Sequence, residues 1–156
     1  MQVASRTIVC AVCMTLLFFS CTCGGVPNEF FLMPNEQRDA EFQKYDLETQ
    51  YKIYICGQKR EPPMLGLASP LARQGGRIVP FLKAKLESTD DDSTVQDIVY
   101  VFTEMDLRGT YDVAADKSLM EELRLKVGGM KDPDWQNMAE RNLLEIREKS
   151  PTNSKP

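Results

Sequence analysis

The side chains of this sequence that could do acid–base or covalent chemistry are mainly carboxylates and thiols, because its 156 residues include no histidine. Histidine is the commonest general base, the commonest zinc ligand and the usual pH switch near neutrality. Ser-His-Asp and Cys-His catalysis are therefore excluded unless a partner supplies the base. We accordingly predict a protein that is not an enzyme, with no catalytic residue, no cofactor and no metal site.

Three consecutive aspartates at 90–92 form the pattern that most resembles a metal site. A calcium loop starting at Asp90 would require glycine at its sixth position and a carboxylate at its twelfth. Those positions hold Val95 and Val101. Aspartates also cap helices and interact favourably with the helix dipole. Capping of the next helix therefore explains the cluster better than calcium does.

Five glutamates could supply the carboxylate pair of a glycoside hydrolase: Glu121, Glu122, Glu140, Glu145 and Glu148. The apolar pattern around them places all five on solvated helix faces. The segment 74–77, Gln-Gly-Gly-Arg, could likewise hold an anion at the start of a helix. It lacks the Gly-Lys-Ser/Thr of a phosphate-binding loop, so a helix boundary is the better interpretation.

Aromatic side chains are the remaining candidates for binding, because they dominate the energetics of protein interfaces. We expect the tyrosines at 45, 51 and 54 to bury their rings and leave their hydroxyls at the rim. Trp135 stands beside Asp132 and Asp134 at the predicted start of a helix, where partial exposure is expected. Trp135 is therefore our candidate for a protein-binding residue.

The amino-terminal segment has the pattern of an export signal. A polar start with Arg6 precedes twelve apolar residues, Ile8 to Phe19. Such a run is too short to span a bilayer, but it fits the apolar part of a secretory signal. Residues 16–21, Leu-Leu-Phe-Phe-Ser-Cys, resemble the bacterial lipobox, in which a small residue precedes the cysteine that becomes acylated.

The lipobox resemblance implies a lipoprotein with a signal peptide at 1–20 and acyl chains such as palmitate on Cys21. More than one acyl chain suffices for durable attachment to a membrane. Thr22 rather than aspartate follows the cysteine, which by resemblance to Gram-negative lipoproteins implies the outer membrane, facing the periplasm. Two alternatives stay open: cleavage between Ser20 and Val26 without lipidation, and an uncleaved anchor.

The five cysteines fall into three groups under this interpretation. Cys10 and Cys13 are lost with the signal peptide, and Cys21 carries the lipid. Cys23 and Cys56 remain and could form one disulfide in an oxidising compartment. The alternative, which we favour, is that Cys56 is a small buried hydrophobic residue near a helix end.

The mature chain is predicted to comprise a lipid-anchored tether at 21–39, a helical domain at 40–149 and a flexible tail at 150–156. The tether contains Gly, Pro, Asn and Glu with little periodicity. Its apolar run at 30–33 could dock on the domain. The tail is polar and contains two prolines, which is typical of a frayed end.

Apolar periodicity predicts about six helices and no strands in the domain. The first begins after the cap Asp46 and ends at Gly57, and the second covers 64–73. The third starts near Arg77, because Pro80 is tolerated only in a first turn. The other three carry apolar stripes at Val95–Met105, Leu119–Val127 and Trp135–Ile146.

The last four predicted helices form two similar pairs. Apolar residues recur at a separation of 40 or 41 residues, as in Leu82 and Leu123 or Val99 and Ala139. This period, with a helix, an acidic turn and a second helix in each unit, resembles HEAT repeats. The resemblance implies an all-α fold of antiparallel hairpins stacked as a short HEAT-like solenoid. An irregular helical bundle is the alternative.

Composition and leader together indicate a function in binding. The formal net charge is −4. The sequence has no stripe of basic residues with interleaved aromatics, which is the pattern that would indicate binding to nucleic acid. We predict a membrane-tethered envelope lipoprotein that acts as a non-enzymatic helical module and binds a protein partner not identified by the sequence. The alternative is a periplasmic antitoxin, or immunity protein, that blocks a secreted toxin.

Overall fold

The computed structural model describes residues 25–26 and 28–148, which fold into helices without any strand in that part of the chain. This confirms the predicted all-α class. The predicted signal peptide, Cys21 and the tail at 150–156 lie outside the described residues.

The α-helices are α1 (Asn28–Leu32), α2 (Asn35–Phe42), α3 (Leu47–Gln58), α4 (Ala68–Ala72), α5 (Val79–Ser88), α6 (Asp92–Leu107), α7 (Lys117–Gly128) and α8 (Pro133–Glu148), and 3₁₀-helices form at Leu65–Leu67 and Gly75–Ile78.

Helix α6 lies at the centre of the fold. It packs most extensively against α8 and then against α4, and α3, α5 and α7 also contact it. Ten of its sixteen residues are buried, which is more than a single amphipathic stripe supplies. Side chains on more than one face of α6 are therefore removed from water.

Two predicted helix starts are confirmed by their local contacts. The Asp46 carboxylate accepts a hydrogen bond from the Thr49 backbone N–H at 2.9 Å, at the start of α3. Pro80 stands in the first turn of α5, where a missing N–H costs no helical hydrogen bond. Gly57 was expected to end the first helix but lies inside α3. A Cβ there would come within 2.5 Å of Leu67 Cδ1, so glycine permits close packing at this point.

The described part of the predicted tether is packed structure, which corrects the expected boundary of the domain. Helices α1 and α2 occupy 28–42, and Val26, Phe30 and Phe42 are all buried. The Phe30 ring centroid lies 5.4 Å from that of Phe31 and 6.2 Å from that of Phe42. Because burying such rings is strongly favourable, the helical domain begins near Val26 rather than at residue 40.

The two predicted helix pairs correspond to α5–α6 and α7–α8. Their second helices, α6 and α8, lie side by side. Their first helices are joined by an ion pair between Lys83 Nζ and Glu122 Oε1 at 2.7 Å. A stack of two hairpins would place the helices in this order, and an irregular bundle accommodates it equally well. The HEAT-like resemblance stays a prediction.

Candidate binding groove

A groove opens where α6 and α8 meet the segment between α3 and α4. We call it the α6–α8 groove, and its volume is about 370 Å³. This lies at the small end of ligand pockets, so the groove suits one or two side chains rather than a large cofactor. The residues that line it are Gln58, Pro63, Leu65, Gln96, Asp97, Tyr100, Trp135, Met138, Arg141, Asn142 and Glu145.

The rim of the α6–α8 groove concentrates exposed apolar surface. Leu65 is 56% exposed, Trp135 36% and Met138 39%, although all three are large hydrophobic side chains. Other exposed large hydrophobics of the described chain are spread over α1, α6, α7 and α8, for example Leu144 on α8. Single exposed leucines are ordinary, whereas a cluster beside a concave surface marks a binding site.

The floor of the groove holds two polar side chains without partners. Gln96 is 7% exposed and Asp97 6%, and no hydrogen bond or ion pair reaches either side chain from the residues whose side chains are described, 25–26 and 28–146. The other buried polar side chains of this region do have partners, namely Gln50, Thr94 and Thr103. The polar atoms of Gln96 and Asp97 stay open to the groove, since the buried side-chain atom without a partner among the described residues is Arg38 Nε. The groove floor can therefore accept donors from outside the fold.

The electrostatic state of Asp97 follows from its burial. Desolvation raises the pKa of this carboxyl from an ordinary 3.8 to about 7, and Asp91 raises it slightly further. Lys59 acts in the opposite direction, but its Nζ lies 3.4 Å from Asp91 Oδ2 and is paired there. Near neutral pH the floor therefore carries a carboxyl that ionises readily when a cation approaches.

Helix α3 fixes the backbone of the groove floor. Tyr54 is fully buried, and its hydroxyl donates a 2.7 Å hydrogen bond to the Asp97 carbonyl oxygen. Burial raises the pKa of Tyr54 well above its ordinary value, so the hydroxyl keeps its proton and remains a donor. This buried hydroxyl differs from the expected position at the rim. It holds α3 and α6 in register at Asp97.

Two aspartates fix the position of Trp135 on the rim. Asp92, in the first turn of α6, accepts 2.7 Å hydrogen bonds from the backbone N–H groups of Lys131 and Asp132. The Asp132 carboxylate then accepts from the N–H groups of Asp134 and Trp135, at 2.9 and 3.3 Å. The indole is therefore presented from a capped helix start that is tied to α6.

Charged side chains of α8 complete the groove. Arg141 and Glu145 both line it, yet neither forms an ion pair within the described residues. The Arg141 Nε donates to the Asn137 carbonyl oxygen at 3.3 Å. The groove thus contains two carboxyl groups, those of Asp97 and Glu145, and one guanidinium.

The structure gives the other sequence candidates structural contacts. Asp91 accepts from the Ser93 and Thr94 hydroxyls, and Asp92 holds the turn before α8. Glu122 pairs with Lys83, and the Gln74 amide donates to Gln50 Oε1 at 2.7 Å. Among the candidate glutamates whose side chains the structure describes, Glu145 lines the α6–α8 groove and Glu140 lies beside a different depression.

The described residues contain no cluster of three side chains of the kind that hold metal ions. Among the same residues, no helix combines the length and apolar character needed to cross a bilayer.

Cys56 is engaged in a disulfide bond, which corrects our preferred interpretation of an unpaired buried residue. Its side chain is indeed buried, at 7% exposure. The other four cysteines of the chain lie at or before position 23, outside the described residues. The pairing of Cys56 with Cys23 stays a prediction.

Sequence reasoning singled out Trp135 but missed Gln96 and Asp97. The single stripe assigned to α6 left both of them on a solvated face. The signal against that assignment was Val101, an apolar residue one helical turn after Asp97 and on the same face. Val101 is fully buried, so this face of α6 is also covered.

Comparisons of the chain with protein-family models, curated proteins and solved structures find no match.

We predict that Asp97→Asn stabilises the protein at alkaline pH, on the order of 2 kcal/mol at about pH 8. The Asp97 carboxyl has a pKa of about 7 in the folded state and an ordinary value of 3.8 once unfolded. Between these values the folded state holds the extra proton, so the free energy of unfolding falls as pH rises through this window. Denaturant unfolding of the wild type and variant at several pH values measures the difference.

The matched control is Asp90→Asn, which alters a fully exposed carboxylate in the turn before α6. Its effect on stability should be small, because its partner is Lys126 at 3.8 Å and exposed ion pairs contribute little. A stability difference between Asp97→Asn and the wild type that is constant from about pH 5 to about pH 8 would contradict the burial of an unpaired carboxyl.

Proposed function

We propose that this chain is a non-enzymatic, membrane-tethered protein of the bacterial envelope that binds a protein partner in the α6–α8 groove. The observation that carries this proposal is the groove itself, where exposed Leu65, Trp135 and Met138 surround the unpartnered Gln96 and Asp97. Interface centres combine apolar anchors, tryptophan above all, with a few polar groups that fix orientation.

The cost of Asp97 to the fold supports a role in binding. An ionised carboxylate without a partner destabilises a protein interior, and an asparagine of similar shape would avoid that charge. Residues that lower stability in this way are concentrated at functional sites. Asp97 also lies at the bottom of the groove rather than in the closed core.

Attachment to the membrane is the second part of the proposal. The lipobox-like residues 16–21 support acylation of Cys21, and the disulfide of Cys56 supports export, because disulfides persist in oxidising compartments. An acylated Cys21 thiol cannot bond to Cys56, which leaves Cys23 as its partner in the cleaved chain. Val26 is already buried, so the helical domain begins only a few residues after the proposed anchor.

We predict that Cys21→Ala releases the protein from the membrane fraction, because it removes the thiol that carries the lipid. Cys23→Ala should leave the protein in the membrane fraction and make the Cys56 thiol reactive towards alkylating reagents. Fractionation and mass spectrometry of the alkylated protein measure both outcomes. Retention of Cys21→Ala in the membrane would refute the lipid anchor.

Site-specific photo-cross-linking tests the binding function. We predict that benzoylphenylalanine in place of Met138, on the groove rim, forms one discrete cross-linked product in the native cells. The same residue in place of Leu144, an exposed position of α8 outside the groove, should form none. A secreted toxin as the cross-linked partner would identify the activity as that of an antitoxin.

A second substitution ties the product to the groove. Adding Trp135→Ala should weaken the Met138 cross-link, because loss of an interface tryptophan typically costs about 2 kcal/mol or more. Leu144→Ala is the matched change on the same helix and should have no effect. Equal cross-linking from positions 138 and 144, or none from either, would contradict binding at this groove.

A further inference from the structure

We propose that the α6–α8 groove recognises a basic side chain, arginine or lysine, on a segment of the protein partner. The cationic group would lie against Asp97 and Gln96, and its methylene groups would lie against Trp135. This inference rests on the proposed function and specifies the chemistry of the partner.

The unmet hydrogen-bonding capacity of the floor favours a cationic donor. An Asp97 carboxylate can only accept hydrogen bonds, and the Gln96 amide offers a second acceptor through its carbonyl oxygen. A guanidinium carries five N–H donors and no acceptor, and an ammonium carries three. Charge-assisted bonds of this kind are about twice as strong as neutral ones. An acidic ligand would be repelled by the Asp97 carboxylate, and a purely apolar ligand would leave both acceptors unsatisfied.

No cation of the described residues fills this role. Lys59 is the basic side chain that most affects Asp97, and it is paired with Asp91 at 3.4 Å. Arg141 lines the groove without reaching Asp97, since no ion pair joins them. Glu145 adds a second carboxylate to the groove, and the whole chain has a formal charge of −4. With both carboxyl groups ionised, the groove carries a net negative charge even with the Arg141 guanidinium counted, so the charge of the site and of the protein complements a basic segment.

The shape of the groove supports the same occupant. Its volume of about 370 Å³ accommodates a long side chain with neighbouring groups. Long basic side chains bury their methylene stems on apolar surface while directing their charge to a polar partner. Trp135 and Met138 supply that surface, and an indole face also attracts cations. The apolar rim and the acidic floor thus match the two parts of one side chain.

The test uses two acetylated tripeptides, Leu-Arg-Leu and Leu-citrulline-Leu, which differ in charge and hardly in shape. Trp135 is the only tryptophan of the chain, so its fluorescence reports binding at the groove. Titrations of the soluble domain with its disulfide intact are performed at about pH 8, where Asp97 is ionised. We expect the arginine peptide to bind about tenfold more tightly than the citrulline peptide.

Asp97→Asn should abolish this preference, whereas Glu140→Gln, on α8 outside the groove, should preserve it. Equal binding of the two peptides to the wild type would overturn the inference and leave the protein-binding proposal intact. Absence of binding for both at about 5 mM would also overturn it. A large gain in peptide affinity when the chain is truncated after Glu148 would also overturn the inference, because the tail with its own Lys155 would then be the occupant of the groove.

The failures of the two proposals are distinguishable. Loss of the position-specific cross-link at Met138 contradicts protein binding at the groove, whatever the peptides do. A cross-link that persists in a chain without any arginine preference contradicts only the basic side chain as the feature recognised.

Discussion

The fold depends on the burial of α6 on more than one face. Helices α4 and α8 pack against it most extensively, and α3 is joined to it through the hydrogen bond from Tyr54 to the Asp97 carbonyl oxygen. A helix enclosed in this way has few positions left for polar side chains. The Thr103 hydroxyl donates a hydrogen bond to the Val99 carbonyl oxygen of α6 itself. Gln96 and Asp97 have no hydrogen-bond partner of this kind, and they line the groove instead.

This arrangement connects stability with function. Burial of Asp97 without a partner weakens the folded state once the carboxyl ionises. The same burial removes water from the carboxylate and makes any pairing with an incoming donor more favourable. The network of Asp92, Asp132 and Trp135 adds rigidity at the rim, so little order has to be gained on binding. A preformed groove with an unsatisfied floor is what the proposed binding role requires.

Local signals in the sequence predicted the helical part of the fold well. Asp46 as a cap and Pro80 in a first turn each act over a few residues, and each determines a helix start. The acidic turn does precede α6, but the expected capping bond is absent, because Asp91 accepts from the Ser93 and Thr94 hydroxyls rather than from a backbone N–H. Burial of Phe30 and the enclosure of α6 depend on contacts between distant elements. A single apolar stripe therefore gave Asp97 the wrong environment, and only Val101 signalled the second buried face. Trp135 was found because a helix start can be read from local residue types.

The ionisation of Asp97 is the property of the groove on which its proposed binding role depends. A ¹³C NMR titration of its side-chain carboxyl carbon, assigned by comparison with Asp97→Asn, gives the pKa of that group in the folded domain. We expect a midpoint of about 7, because the carboxyl is desolvated and has no partner. A midpoint near the ordinary value of 3.8 would show a solvated or paired carboxylate and would contradict the groove described above.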